Sequence, residues 1–294
     1  MKNLLLGLLT VFSIAINAQE SANRFFYELT YAPNKDSLQK KVKTMTILDI
    51  TKDKSTYKDY LMVSQDSILK IEVEAMQKSG TYKDLSKSIK QPKFAHKVYK
   101  MYPAMDIIYS EQILQDQVSY KDNIALNWKI DSEKKKIGEY DTQKATLDFG
   151  GRKWTAWFST DLPFQDGPYK FYGLPGLIVQ IGDDEGSYIW KLEGNKKVDN
   201  YEEESYSEKL QKQFGQGNKK LEVSKERFET LYDAYKKDPF GSIRSHLSQI
   251  PATAKMPDGT SVAQMLKDQE AQLKKFLNEN SNSIEISAPK GKKK

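Results

Sequence analysis

The chain has 294 residues, 46 basic and 40 acidic side chains for a formal charge of +6, and no cysteine. That length admits a sizeable core in one large domain or two small ones. The lack of cysteine excludes disulfides, thiol catalysis, thiolate metal sites and a lipid-modified N-terminal cysteine.

The positive charge does not point to nucleic acid. Lys2 belongs to a leader, and Lys290, Lys292, Lys293 and Lys294 crowd the C-terminal tail, so the body carries little net charge and no basic stripe. Hydrophobic residues make up only 38%, whereas aromatics reach 11% with 17 Tyr. Such a balance suits antiparallel sheets with one wet face better than a doubly covered parallel sheet.

At the N-terminus, Lys2, the apolar run Leu4 to Ile16 and Asn17-Ala18-Gln19 have the layout of a secretory signal peptide over residues 1–18. Ser13-Ile14-Ala15 fits the small-x-small cleavage rule better, which leaves the cut open by a few residues. The expectation is an exported protein, periplasmic or secreted, free of a lipid anchor. No later run is long and apolar enough for a transmembrane helix.

Arg24 to Tyr31 alternates Phe25, Tyr27, Leu29 and Tyr31 against Phe26, Glu28 and Thr30, which is the period of a strand with one aromatic face. Val42 to Ile50 and Ser55 to Tyr60 follow as strands. From Leu61 to Met76 the period changes to that of a helix, with Gly80 as its stop. Thr81 to Pro92 reads as a loop or frayed helix. Strands are expected over Phe94–Met101, Ile107–Leu114, Val118–Lys121 and Leu126–Ile130. Two hairpins come next. Tyr140–Phe149 and Arg152–Ser159 meet at Gly150-Gly151, and Leu177–Ile181 and Tyr188–Leu192 meet across Gly182 to Gly186.

Helices are expected over Tyr206–Phe214, Lys225–Lys237 behind a Ser224 cap, a turn or two in Phe240–Leu247, and Val262–Asn278 behind a Ser261/Gln264 capping box. The fold class is α+β: a large, curved, mainly antiparallel sheet of half-barrel type with helices packed on one face and concentrated in the C-terminal third. One domain spans 19–280, β-rich over 24–197 and helical over 200–280. Residues 281–294 form a Lys-rich tail expected to be disordered.

The stretch Phe171 to Ile181 organises this layout. Leu174-Pro175-Gly176-Leu177 has the composition of a type II turn, with Pro175 presetting φ and Gly176 supplying a positive φ. Gly173 suits a close approach by another backbone or ring. The result is a stiff corner feeding an apolar strand. At Gly173-Leu174-Pro175-Gly176-Leu177-Ile178 the chain resembles the GLPGLI family, named for this hexapeptide. The resemblance extends through Gly138, Tyr140, Gln143-Lys144-Ala145, Gly151-Arg152, Trp154, Ala156-Trp157-Phe158, Pro163 and Asp166 to Phe171. It implies an exported protein of Bacteroidota and no established activity. Family members often carry a cysteine where this chain has Thr142.

Three groups of residues carry candidate chemistry. Trp154, Trp157, Tyr172, Leu174, Pro175 and Trp190 could line an aromatic groove for an apolar ligand, although core packing is the plainer account of the rings. In a strand, Trp157 must point away from Trp154 and Phe158. Asp161 and Asp166 could be paired carboxylates of a glycosidase-like hydrolase, with His96 or His246 as a helper; turn formation is the plainer account. Asp183-Asp184-Glu185 lacks the alternating oxygen spacing of a calcium loop. No His-Glu-x-x-His, Gly-x-Ser-x-Gly or phosphate-loop motif occurs, and no metal or cofactor is implied. The sequence therefore points to a non-enzymatic envelope protein that binds an apolar small molecule or another envelope protein, with a carboxylate-dependent hydrolase as the alternative.

Overall fold

The computed structural model describes residues 20–81, 83, 85, 90, 92–113, 116–213, 220–251, 253–256 and 259–286. The signal peptide expected over 1–18 and residues 287–294 of the tail lie outside the described residues.

The strands are β1 (Ala22–Tyr31), β2 (Val42–Ile50), β3 (Lys54–Asp59), β4 (His96–Met101), β5 (Asp106–Ile113), β6 (Asp116–Asp122), β7 (Lys129–Ile137), β8 (Tyr140–Phe149), β9 (Arg152–Ser159), β10 (Leu177–Asp183), β11 (Tyr188–Val198) and β12 (Lys220–Glu222). Among the described residues they form one sheet in the order β12-β6-β5-β4-β3-β2-β1-β11-β10-β9-β8-β7. Every pairing is antiparallel except β12 with β6. Consecutive hairpins dominate because short turns join strands only in the antiparallel sense. The long-range step is the seam between β1 and β11, which registers Ala22 with Val198 and Tyr31 with Tyr188.

The sheet curls around an aromatic interior. Phe25, Tyr27, Leu29 and Tyr31 are each at most 2% exposed, as their alternation predicts. Trp190 Nε1 of β11 donates to the Tyr57 hydroxyl of β3 at 2.8 Å, although β2 and β1 lie between the two strands. From Tyr57 a series of rings crosses the same face: His96 stacks on Tyr57 at 6.2 Å, Tyr109 on His96 at 5.3 Å and Tyr120 on Tyr109 at 5.2 Å.

The helices include α1 (Leu61–Ser79), α2 (Tyr206–Gln213), α3 (Lys225–Lys237), α4 (Arg244–Leu247) and α5 (Val262–Glu279). Ser224 caps α3 by accepting from the Arg227 amide, and Gly80 closes α1 in the left-handed region, both as the sequence predicts. Helix α3 sits on the concave face, where Phe228 packs edge-on against Tyr109 at 5.4 Å and against Tyr120 at 4.9 Å. Helix α2 meets the opposite face through Glu208, which pairs with Lys97 of β4. That convex side also holds a buried ion pair in which Arg24 grips Asp49 with two bonds of 2.6 and 2.9 Å.

Three local expectations are corrected. A strand predicted over Leu126–Ile130 is instead β7 at Lys129–Ile137, whose side chains are exposed up to Lys136. It is an edge strand bonded only to β8, so its ladder asks for no apolar face, and its lysines discourage further pairing. Strand β11 runs on to Val198, because β1 supplies partners well past Leu192. The capping box of α5 is absent: Ser261 makes no side-chain cap bond, and the Gln264 amide bonds Asp268 instead.

Candidate functional site

The segment between β9 and β10, residues 160–176, folds inward as a compact loop stitched to itself. Gly173 N–H donates to Gln165 O at 3.0 Å, and Leu177 N–H and Ile178 N–H donate to Leu162 O and Asp166 O, each at 3.0 Å. The loop delivers Phe171 to the centre of the concave face. That ring is fully buried, with its centroid 4.8 Å from Trp154, 5.7 Å from Phe149 and 6.2 Å from Trp190. The space a ligand would need among these rings is thus occupied by the chain itself.

The roles expected of the two hexapeptide glycines are exchanged. Gly173 has φ +90° and open space around a would-be Cβ, so it serves the backbone conformation. Gly176 lacks a positive φ; a Cβ there would strike the carbonyl of Ser159, so it serves the close approach. The turn is consequently not type II. Gly176 N–H bonds Leu174 O at 2.8 Å across Pro175, a three-residue turn.

Two buried lysines anchor this loop. Lys100 of β4 is fully buried and places Nζ 2.5 Å from Asp166 Oδ1, 2.6 Å from Gly167 O, 3.0 Å from Tyr169 O and 3.3 Å from Phe171 O. The Tyr102 hydroxyl donates to the other carboxylate oxygen at 2.5 Å. Lys170, equally buried, donates to Asp122 at 2.6 Å, Glu285 at 2.5 Å and the Tyr120 hydroxyl at 3.0 Å. Lys225 from α3 closes this second group by pairing with both Asp122 and Glu285. Burial alone would raise both carboxyls, but the adjoining lysines hold each below its ordinary range. Two ammonium groups facing two carboxylates leave no free charge for an anionic ligand.

His96 lies beside this group, buried, with Nε2 lacking a hydrogen-bond partner. Burial, reinforced by the Lys170 charge, pushes it down to about 3, so it stays neutral at physiological pH. Glu111 is buried under α3 and accepts from the Tyr109 hydroxyl at 2.7 Å; burial lifts it to about 7 against the opposing hydrogen bonds of Tyr109 and Tyr232.

Residues 281–286 form a strap over the mouth of the half-barrel. Arg152 at the start of β9 donates to Ile284 O at 3.0 Å, Ser283 O at 2.8 Å, the Asn282 side chain at 2.8 Å and Asp183 at 2.8 Å. Asn282 N–H bonds Pro33 O, Ile286 N–H bonds Gly150 O, and Ile284 is buried. The expected disorder of the tail is therefore corrected for its first six residues, which these polar partners hold. Gly150 and Gly151 have φ +58° and +74°, as a tight hairpin requires, and a Cβ on either would run into Glu285 or Ile286.

The sequence-predicted residues fall as follows. Trp154, Leu174 and Trp190 are at most 1% exposed and belong to the solid core. Trp157 is 6% exposed and carries Lys135 Nζ 3.8 Å above its ring. Tyr172 is half-buried, its hydroxyl spent on Ile124 O and its carbonyl on Trp128 Nε1. Pro175 is exposed. These six do not line a common groove.

Asp166 is a sealed counter-ion of Lys100 while Asp161 is exposed, so the two do not form a solvent-facing carboxylate pair. The side chain of His246 lies outside what the structure describes. Asp183 is committed to Arg152 and to the Tyr188 amide, and among the described residues no cluster of acidic and histidine ligands could hold a metal. Thr142 is buried and donates to Lys135 O at 2.6 Å. A shallow cleft lies beside the strap, lined by Gly151, Arg152, Lys153, Asp183, Asp184, Glu185 and Ile286.

Sequence reasoning missed Lys100, Lys170 and Glu285. The only available signal was Lys100 sharing the apolar parity of Val98 in β4.

This fold and interior define an α+β protein with a large curved antiparallel sheet and a self-filled concave face. Residues 151–180, which include the hexapeptide, match the family described as "Protein of unknown function (Porph_ging)". No curated protein matches the chain. Two solved structures, of PNGF-II in the C2 and P21 space groups, are similar at 15% identity and a TM-score of 0.48; they cover 72% of this chain. The similarity takes in 32% and 33% of those chains, so this chain spans about a third of their length, too distant a likeness to transfer an activity.

Proposed function

We propose that this chain is an exported, non-enzymatic binding protein of the cell envelope that recognises another protein through its outer surface. The observation that carries this reading is the filled interior: Phe171 occupies the concave face in ring contact with Trp154, Phe149 and Trp190. Recognition is thereby left to the exterior, where α1 has no buried side chain along its 19 residues and Ile71 is 67% exposed. A sealed Asp166 and a neutral, buried His96 do not favour the hydrolase alternative.

The test has two arms. Mass spectrometry on protein purified under native conditions should find no stoichiometric apolar molecule; finding one would overturn the reading. A photo-crosslinker at Ile71, on the exposed side of α1, should trap a discrete envelope protein in intact cells, and one at Glu139 in the β7–β8 turn should not. Identical patterns from both positions would also reject it.

A further inference from the structure

The Lys100–Asp166 contact places an amine against a carboxyl inside the buried wall of the half-barrel. Nζ lies 2.5 Å from Oδ1, and the two side chains are 0% and 1% exposed. The carboxyl is polarised from both sides: the Gly167 amide donates to Oδ1 at 2.7 Å and the Tyr102 hydroxyl to Oδ2 at 2.5 Å. Gly167 O, Tyr169 O and Phe171 O, at 2.6, 3.0 and 3.3 Å from Nζ, hold the amine against the carboxyl.

We propose that Lys100 and Asp166 condense into an isopeptide bond that ties β4 to the inward loop. Proton transfer from the ammonium to the carboxylate first gives a neutral amine and a carboxylic acid, a shift that burial of both charges favours. The Nζ lone pair then attacks Cγ, forming the N–C bond. Oδ1, already protonated by the ammonium 2.5 Å away, takes a second proton from the nitrogen and departs as water. Oδ2 remains as the amide oxygen, held by the Tyr102 hydroxyl. An ammonium and a carboxylate become an amide and one water, with no oxidant or other reactant needed. The driving force is the removal of two ions from a site shut off from solvent. Burial independently pulls the Lys100 amine toward its neutral form, against the attraction of Asp166.

Proximity supplies the rate. Reactive groups held within contact distance gain the effective concentration of an intramolecular reaction. The structure also explains why Lys100, rather than Lys170, is the reactive amine. Lys170 faces two carboxylates, Asp122 and Glu285, and Glu285 is 20% exposed, so water reaches that group. In a chain without cysteine, such a bond would do the work of a disulfide.

Mass spectrometry of the full-length purified protein tests this directly. Trypsin should yield residues 98–121 joined to residues 154–170, lighter by one water than the two peptides together, with no cleavage after Lys100. The Lys100→Arg variant, which keeps the charge but lacks the amine, should lose the joined species completely. Tyr102→Phe should leave at least half of freshly made chains unjoined, and that fraction should fall on incubation. Complete recovery of unjoined peptides ending at Lys100 from the native sequence overturns the proposal. A Tyr102→Phe chain joined as fully as the native one overturns the role given to Tyr102 in polarising the carboxyl.

Discussion

The hexapeptide glycines differ in what they tolerate. At Gly173 a side chain meets open space but must sit at φ +90°, which costs an L residue about 1–2 kcal/mol. At Gly176 the clash is with the Ser159 carbonyl, a backbone group that cannot turn aside. Gly176→Ala should therefore destabilise by about 3 kcal/mol or more, the upper range for overpacking, and Gly173→Ala by less. Urea unfolding of the two variants checks the order. Phe171→Ala should cost about 3–5 kcal/mol, as expected for emptying an aromatic site in a close-packed core, and the same transition would show it.

At this scale the sequence is legible wherever side-chain chemistry agrees with position. Phe25, Tyr27, Leu29 and Tyr31 announce their face because apolar rings belong inside. Lys100 and Lys170 do not, because a lysine at an inward position has the same one-letter identity as one in water. Their counter-ions, Asp166 for one and Asp122 with Glu285 for the other, come from remote stretches that no periodicity connects. The exchanged roles of Gly173 and Gly176 were equally hidden, since composition shows that a turn needs glycine without showing which demand each one meets.

Among the elements, the strap rests mainly on polar contacts. Arg152→Ala would remove four donated hydrogen bonds and leave Asp183 buried without its counter-ion. Breaking such a buried pair from one side costs about 3–5 kcal/mol. Hydrogen exchange should show the Ile286 amide, bonded to Gly150 O, losing protection well before the β1–β11 ladder does. If the Ile286 amide and that ladder instead exchanged together, the strap would be part of the global unfolding unit. Edge strand β7 gives the opposite lesson on legibility. Its Lys-rich sequence hides a strand, because an edge with one bonded neighbour and solvent beyond it needs no apolar alternation.

At the scale of the whole molecule, the buried groups Glu111 and His96 give stability opposite pH dependences. Glu111 is raised from its ordinary value near 4.5 to about 7, so its contribution is fully present below about 4.5 and is lost as pH rises through 7. His96 is lowered from 6.5 to about 3, so its contribution is present above 6.5 and is lost as pH falls toward 3. Glu111→Gln keeps a neutral side chain at every pH. Its stability relative to the native sequence should therefore improve between pH 5 and pH 8, by up to about 3 kcal/mol for a shift of this size. Thermal unfolding at the two pH values measures that difference, and an unchanged gap would show that Glu111 ionises at its ordinary pH.

The strap also sets an order of events at synthesis. Residues 282–286 are made after every strand and helix described above, yet Glu285 neutralises Lys170, and the strap caps Arg152 and covers the Gly150-Gly151 hairpin. A chain emerging N-terminus first therefore has its sheet, its inward loop and its ring series available before it can close them. Until Glu285 arrives, Lys170 has only Asp122 as a counter-ion, and the mouth of the half-barrel stays open to water. Closure of the interior therefore waits on residues 282–286, which are made after the strands they cover.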